Sequence, residues 1–205
     1  MNPILRRAAI LPTAALALVA SSPAFAHHAM GGEMPSTFGE GFISGLAHPV
    51  IGPDHLAFLV AVGVATALGG MPLWLPIVFV AASAVGVGVH LSLVDLPAAE
   101  LVVAASVLLA GFLLARGERV ATGAWAVLFA VAGLFHGYAY GESIVGAEPT
   151  PLYAYLAGLV LIQSALSIGV ALVASRAASA LAPRLAGAAV AGIGFAAVIG
   201  QVVPG

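Results

Sequence analysis

The sequence has no cysteine and no lysine, and it has little charge of either sign. Without cysteine, disulfides, thiolate metal sites and iron–sulfur clusters within the chain are excluded. Without lysine there is no Walker A loop, so the chain does not hydrolyse ATP that way by itself. All six basic residues are arginine: Arg6, Arg7, Arg116, Arg119, Arg176 and Arg184. They form no basic patch that could neutralise phosphates, which excludes nucleic acid as a partner. Charged residues make up 7% of the 205 residues, where a soluble protein carries about 25%. A soluble domain could not cover its surface with so few. Hydrophobic residues, by contrast, make up 62%. These proportions fit an all-α, polytopic membrane helix bundle with the lipid bilayer as its solvent.

The first 26 residues read as a cleaved secretory signal peptide. Arg6 and Arg7 give a positive start, Ala8 to Ala20 an apolar stretch, and Ala24, Phe25 and Ala26 an A-x-A cleavage site. A retained first membrane helix is the alternative. Residues 27–37 form a polar periplasmic arm containing His27, His28, Met30 and Met34. With a free α-amine beside two imidazoles it could capture a metal, or it could be a plain flexible terminus. Residues 38–205 form the transmembrane domain. Residues 38–48 look like a short helix, at the interface or partly entering the membrane. Six apolar runs of membrane length follow, at about 53–70, 72–92, 97–115, 121–141, 152–175 and 185–203. The expected architecture is therefore about six transmembrane helices plus a short broken or re-entrant N-terminal helix.

With the mature N-terminus in the periplasm of a bacterium and the chain in its inner membrane, Arg116, Arg119, Arg176 and Arg184 all fall in cytoplasmic loops, as the positive-inside rule requires. The histidines and all carboxylates except Glu118 then gather towards the outer face. An acidic, histidine-rich outer face suits a cation entrance.

The densest group of chemistry-bearing residues is His48, Pro49, Gly52, Pro53, Asp54 and His55. Pro49, Gly52 and Pro53 break the helix, and transporters build ion sites at such breaks. Two imidazoles and a carboxylate suit a divalent first-row metal. The structural alternative is that Asp54 only complements a helix N-terminus and the histidines are polar anchors. A second group, Phe135 to Glu142, places His136 and Tyr140 on one helix face. A packed histidine and a ligand are both open readings there. His90 ends the second run, and Glu100 lies one turn into the third, which is costly unless it faces a cavity or a partner. Gln163, Ser164 and Ser167 read as interhelical hydrogen-bond groups. Candidate metal residues are thus His48, Asp54, His55, His90, Glu100, His136 and Glu142. No H-E-x-x-H is present, and Gly41 to Gly45 has the wrong spacing for a G-x-S-x-G elbow, so no enzyme activity is expected.

At these motifs the sequence resembles the HupE/UreJ family of nickel/cobalt permeases. That family carries H-P-x-x-G-x-D-H in its first membrane segment, matched here by His48, Pro49, Gly52, Asp54 and His55, with Gly63 following. A later F-H-G-Y-A-H-G-x-E is matched by Phe135, His136, Gly137, Tyr138, Ala139 and Gly141, with Glu142 shortly after. Pro97, Glu100 and Ser106 resemble the family's third segment. Two departures change the donor set: Leu59 stands where the family often has Met, and Tyr140 where it has His. The resemblance implies secondary uptake of Ni²⁺ or Co²⁺ as transported substrate, with no permanently bound cofactor. Three other readings stay open: a metal-binding sensor or chaperone subunit, a haem protein using His55, His90 and His136 as axial ligands, and an oligomer of any of these.

Overall fold

A computed structural model describes residues 33–176 and 181–203. The expected signal peptide (1–26) and residues 27–32 of the arm lie outside the described residues. Among the described residues there are seven helices and no strand. They are α1 (Phe38–Ile51), α2 (Pro53–Leu68), α3 (Trp74–Leu91), α4 (Ala99–Arg116), α5 (Thr122–Glu142), α6 (Pro149–Ala174) and α7 (Leu181–Val202). The chain is an all-α, multi-pass membrane protein. Helices α3 to α7 are each long and apolar enough to cross a bilayer. They begin and end within about four residues of the expected runs.

The first span differs in its detail. At 16 residues α2 reaches only about 24 Å, short of the ~30 Å hydrocarbon core. It meets α1 at a 78° bend, and only together are the two long and apolar enough for a sixth crossing. Helix α1 also runs further than the sequence suggests, to Ile51, because Pro49 is accommodated inside it. Its start is fixed by a capping box. Thr37 Oγ1 accepts from the Glu40 N–H, and the Glu40 carboxylate accepts from the Thr37 N–H.

Tight pairing of helices sets the topology. Gly133 lies against the Phe79 carbonyl, Gly137 against the Ser83 carbonyl and Gly141 against His90, so α3 and α5 run parallel. Gly187 meets Ala115 and Gly194 meets Leu108, so α4 and α7 run antiparallel. Gly41 and Gly45 seat α1 on the backbone of Pro151 and Tyr155, parallel to the start of α6. Small residues allow such approaches between spans, where dispersion rather than the hydrophobic effect holds helices together. One consequence is that the ends carrying Arg116, Arg119, Arg176 and Arg184 fall on one side. There the Arg184 Nε–H donates to the Ala115 carbonyl at 3.1 Å. At the opposite end the Gln201 amide donates to Glu100 at 2.7 Å, and Tyr138 to Asp95 at 3.3 Å. The apolar core, with Phe58 packed on Phe79 and Phe129, fills the half nearer the arginines.

A methyl group at Gly137 would meet the Ser83 backbone, which cannot yield cheaply, whereas Gly88 on α3 has nothing within 4 Å. Gly137→Ala is expected to cost about 1–3 kcal/mol, lowering the melting temperature of the detergent-purified protein by roughly 5 °C or more. Gly88→Ala should leave it unchanged or raise it. Equal thermal unfolding of the two variants would contradict the close α3–α5 pairing.

Candidate functional site

The join between α1 and α2 has backbone groups that lipid cannot satisfy, and its own residues satisfy them. Pro53 at the first position of α2 has no N–H to satisfy. The His55 N–H is taken by Asp54 Oδ1 at 2.8 Å, and the Leu56 N–H by the Gly52 carbonyl at 2.9 Å. The Gly52 N–H returns to the His48 carbonyl at 3.2 Å. Asp54 therefore sits in the first turn of α2, where a carboxylate is favoured by the helix dipole. Gly52 is required by space: a Cβ there would lie 2.8 Å from the His55 ring.

Around this join the structure gathers His48, His55 and His136, exposed by only 3%, 3% and 0%. Asp54 is half-buried beside them. The Tyr140 ring lies 4.3 Å from that of His55 and 5.1 Å from that of His48, centroid to centroid. The rings of His48 and His55 are 6.0 Å apart. Phe58 and Phe79 close the lower side against His136, at 4.6 and 5.7 Å.

Hydroxyls and a second imidazole hold the buried rings in place. Tyr155 donates to the Tyr140 carbonyl at 2.8 Å, and the Ser143 hydroxyl lies 3.2 Å from both that carbonyl and the Tyr155 oxygen. His48 Nδ1 contacts both hydroxyl oxygens, at 2.9 and 3.0 Å. The Ser106 hydroxyl lies 2.7 Å from the Val103 carbonyl and 3.0 Å from His136 Nε2. His136 Nδ1 is 2.8 Å from His55 Nδ1. A hydrogen bond at one ring nitrogen orients an imidazole for ligation through the other. His136 is engaged at both nitrogens and orients His55.

The remaining candidates lie elsewhere. His90, Glu100 and Glu142 line a separate cavity of about 350 Å³ with Asp95, Tyr138 and Gln201, at the end away from the arginines. Glu100 thus finds both the cavity and the partner that its place in an apolar helix called for. No three His or carboxylate side chains among the described residues converge as a finished metal cage. The haem reading meets an obstacle here. His55 and His136 touch, so no macrocycle fits between them, and His90 is in the other cavity.

Sequence reasoning passed over Ser143 and Tyr155. One signal was present: counted from Phe135, the motif's final Glu falls on position 143, which here is Ser. Tyr155 carried no signal, because only the seating of α1 on α6 brings it to His48.

Comparison with known proteins gives the family. The family model described as "HupE / UreJ protein" matches residues 14–197. The chain belongs to the HupE/UreJ family. A relative within reach of HupE/UreJ comparison is "Protein HupE" of Rhizobium leguminosarum bv. viciae, 34% identical over 191 residues, covering 91% of this chain and 95% of the relative. No solved structure matches.

Two substitutions test these contacts. Tyr155→Phe leaves Ser143 still reaching both His48 and the Tyr140 carbonyl, so the expected cost is about 0.6–1.7 kcal/mol. Ser106→Ala strands a fully buried imidazole nitrogen, at about 1–3 kcal/mol. Thermal unfolding should therefore rank Ser106→Ala below Tyr155→Phe, and the reverse order would remove the Ser106–His136 bond from the account.

Proposed function

We propose that this chain is a permease that takes up a divalent transition-metal cation, Ni²⁺ or Co²⁺, from the periplasm across the bacterial inner membrane. The observation that carries this reading is the pair of buried imidazoles His48 and His55 at the broken span, each contacted through Nδ1, beside the Asp54 carboxylate. Two imidazoles and a carboxylate are a donor set for Ni²⁺-type ions. Membership of the HupE/UreJ family supports the same reading, and the motif resemblance narrows it to nickel or cobalt as substrate. The chain acts by binding and moving the ion, without enzymatic chemistry or a resident cofactor.

In this reading the arginine-bearing end is cytoplasmic. Residues 1–26 are a signal peptide, residues 27–37 a periplasmic arm and residues 38–205 the permease domain. The opposite cavity, with Asp95, Glu100, Glu142 and His90, faces the periplasm and raises the local cation concentration. The ion exchanges water for His48, His55 and Asp54, while His136 holds His55 in position. The membrane potential drives entry. One charge moved through 100 mV is worth ~2.3 kcal/mol, so a divalent ion gains about 4.6 kcal/mol. ATP hydrolysis is not needed, in keeping with the missing lysines.

The test is uptake of radiolabelled Ni²⁺ at nanomolar concentration into cells expressing the chain, with excess Co²⁺ as competitor. Asp54→Asn and the His48→Ala/His55→Ala double variant are compared at equal membrane abundance. Each should lose at least about tenfold in uptake. Parental uptake by Asp54→Asn would remove Asp54 from the site. Tight Ni²⁺ binding with no uptake by the parent would favour a sensor or chaperone subunit instead.

A further inference from the structure

Three buried side-chain atoms among the described residues have no hydrogen-bond partner: His90 Nδ1, Tyr140 OH and Gln163 Oε1. The first borders the outer cavity and the second lies in the histidine cluster. The third belongs to neither. Gln163 is 1% exposed and sits near the middle of α6. It shares the buried stripe of that helix with Tyr155, and lies about 12 Å further along the axis, towards the arginine-bearing end. Its Nε2 donates to Ser83 Oγ on α3 at 3.1 Å. Ser167, one turn on, donates to the Gln163 backbone carbonyl at 2.7 Å. The Ser83 backbone lies against Gly137, the neighbour of His136. This polar group therefore begins where the histidine cluster ends.

A hydrogen bond between helices needs only one polar atom from each. Gln163 brings two, and the second is buried without a partner at a depth where water does not reach. Turning the amide over would pair its oxygen with the Ser83 hydroxyl and strand its NH₂ instead, so one end lacks a partner in either orientation. A cation is a partner that only the carbonyl orientation serves.

We propose, building on the permease reading above, that Gln163 Oε1, on an amide held by the Ser83 hydroxyl through its NH₂, forms a second station for the divalent cation. It lies between the histidine cluster and the arginine-bearing end. The chemistry of the two stations differs in the direction that transport needs. Imidazole and carboxylate hold a nickel-type ion firmly, while a single neutral carbonyl holds it weakly. Conduction requires successive sites that an ion can also leave. Gln163 accepts the ion from the imidazoles and keeps it from being trapped there.

The experiment uses the full chain with Gln163→Leu and Gln163→Glu, radiolabelled Ni²⁺ uptake in cells, and equilibrium Ni²⁺ binding to the purified proteins. Leucine fills a similar volume and removes the stranded oxygen. A merely structural glutamine therefore predicts unchanged uptake by Gln163→Leu and a melting temperature that holds or rises. The station predicts that maximal uptake velocity falls at least about tenfold while KM and Ni²⁺ affinity stay within about twofold of the parent. Gln163→Glu keeps oxygens at the position and adds charge. It should raise Ni²⁺ bound from about one to about two ions per chain, with slow uptake because the ion is retained. Parental uptake by Gln163→Leu at equal membrane abundance overturns the proposal, as does a Gln163→Glu protein that binds no additional ion. If Gln163→Leu does not reach the membrane, the binding stoichiometry of Gln163→Glu decides. A parent that takes up no Ni²⁺ overturns the permease reading and this station with it. A transporting parent beside an unaffected Gln163→Leu overturns the station alone.

Discussion

A helix broken inside a bilayer leaves N–H and C=O groups that no water can reach, and the join at Gly52 has to satisfy them from within. Two prolines remove donors, Asp54 takes the His55 N–H, and Gly52 turns its own N–H back to His48. The residues that make the break tolerable are thereby the residues of the candidate site. Asp54 faces the join because the first turn of α2 needs an acceptor. His48 and His55 flank the join because they end one helix and open the next. A continuous span could not bring two imidazoles and a carboxylate together from both sides of a 78° bend.

The join alone does not orient the rings. Each imidazole is held by a hydroxyl or a second imidazole carried on another span, and those spans arrive through backbone contact. Gly41 and Gly45 let α1 settle on α6, which brings Tyr155 to His48. Gly133, Gly137 and Gly141 let α5 settle on α3, and α5 carries His136 and Tyr140. A larger residue at Gly45 or Gly137 would meet backbone of the partner helix and push apart the spans that carry these hydrogen-bond partners. The glycines of these two seams are thus tied to the placement of the cluster rather than to flexibility.

The sequence made the spans legible because length and apolarity decide them almost alone. The runs read at 72–92 and 121–141 correspond to Trp74–Leu91 and Thr122–Glu142. The break was legible from Pro49, Gly52 and Pro53, but its angle and the sharing of one crossing between two helices were not, since both depend on what α1 packs against. The first motif names residues that lie together at the join: His48, Asp54 and His55. The division of the other candidates was not legible. His136 and Glu142 lie six residues apart on one helix, yet one is wholly buried beside His55 and the other is exposed at the cavity away from the arginines. Helical rotation and burial separate them, and a linear string of ionisable residues carries neither.

That division follows from the cost of burying charge. Asp95, Glu100 and Glu142 stand exposed at one end, where a carboxylate keeps its water and its charge costs little. The buried cluster is built mainly of neutral groups, imidazoles, phenols and hydroxyls, whose burial is offset by hydrogen bonds. The single carboxylate admitted beside it, Asp54, is only half-buried and sits at a helix N-terminus that favours its charge. Three buried carboxylates would bind a divalent cation more strongly, but without the ion they would repel one another in a medium of low dielectric. A neutral imidazole site with one supported carboxylate stays folded when empty. On the permease reading it also carries excess positive charge when filled, which works against retention and suits a site through which an ion must pass.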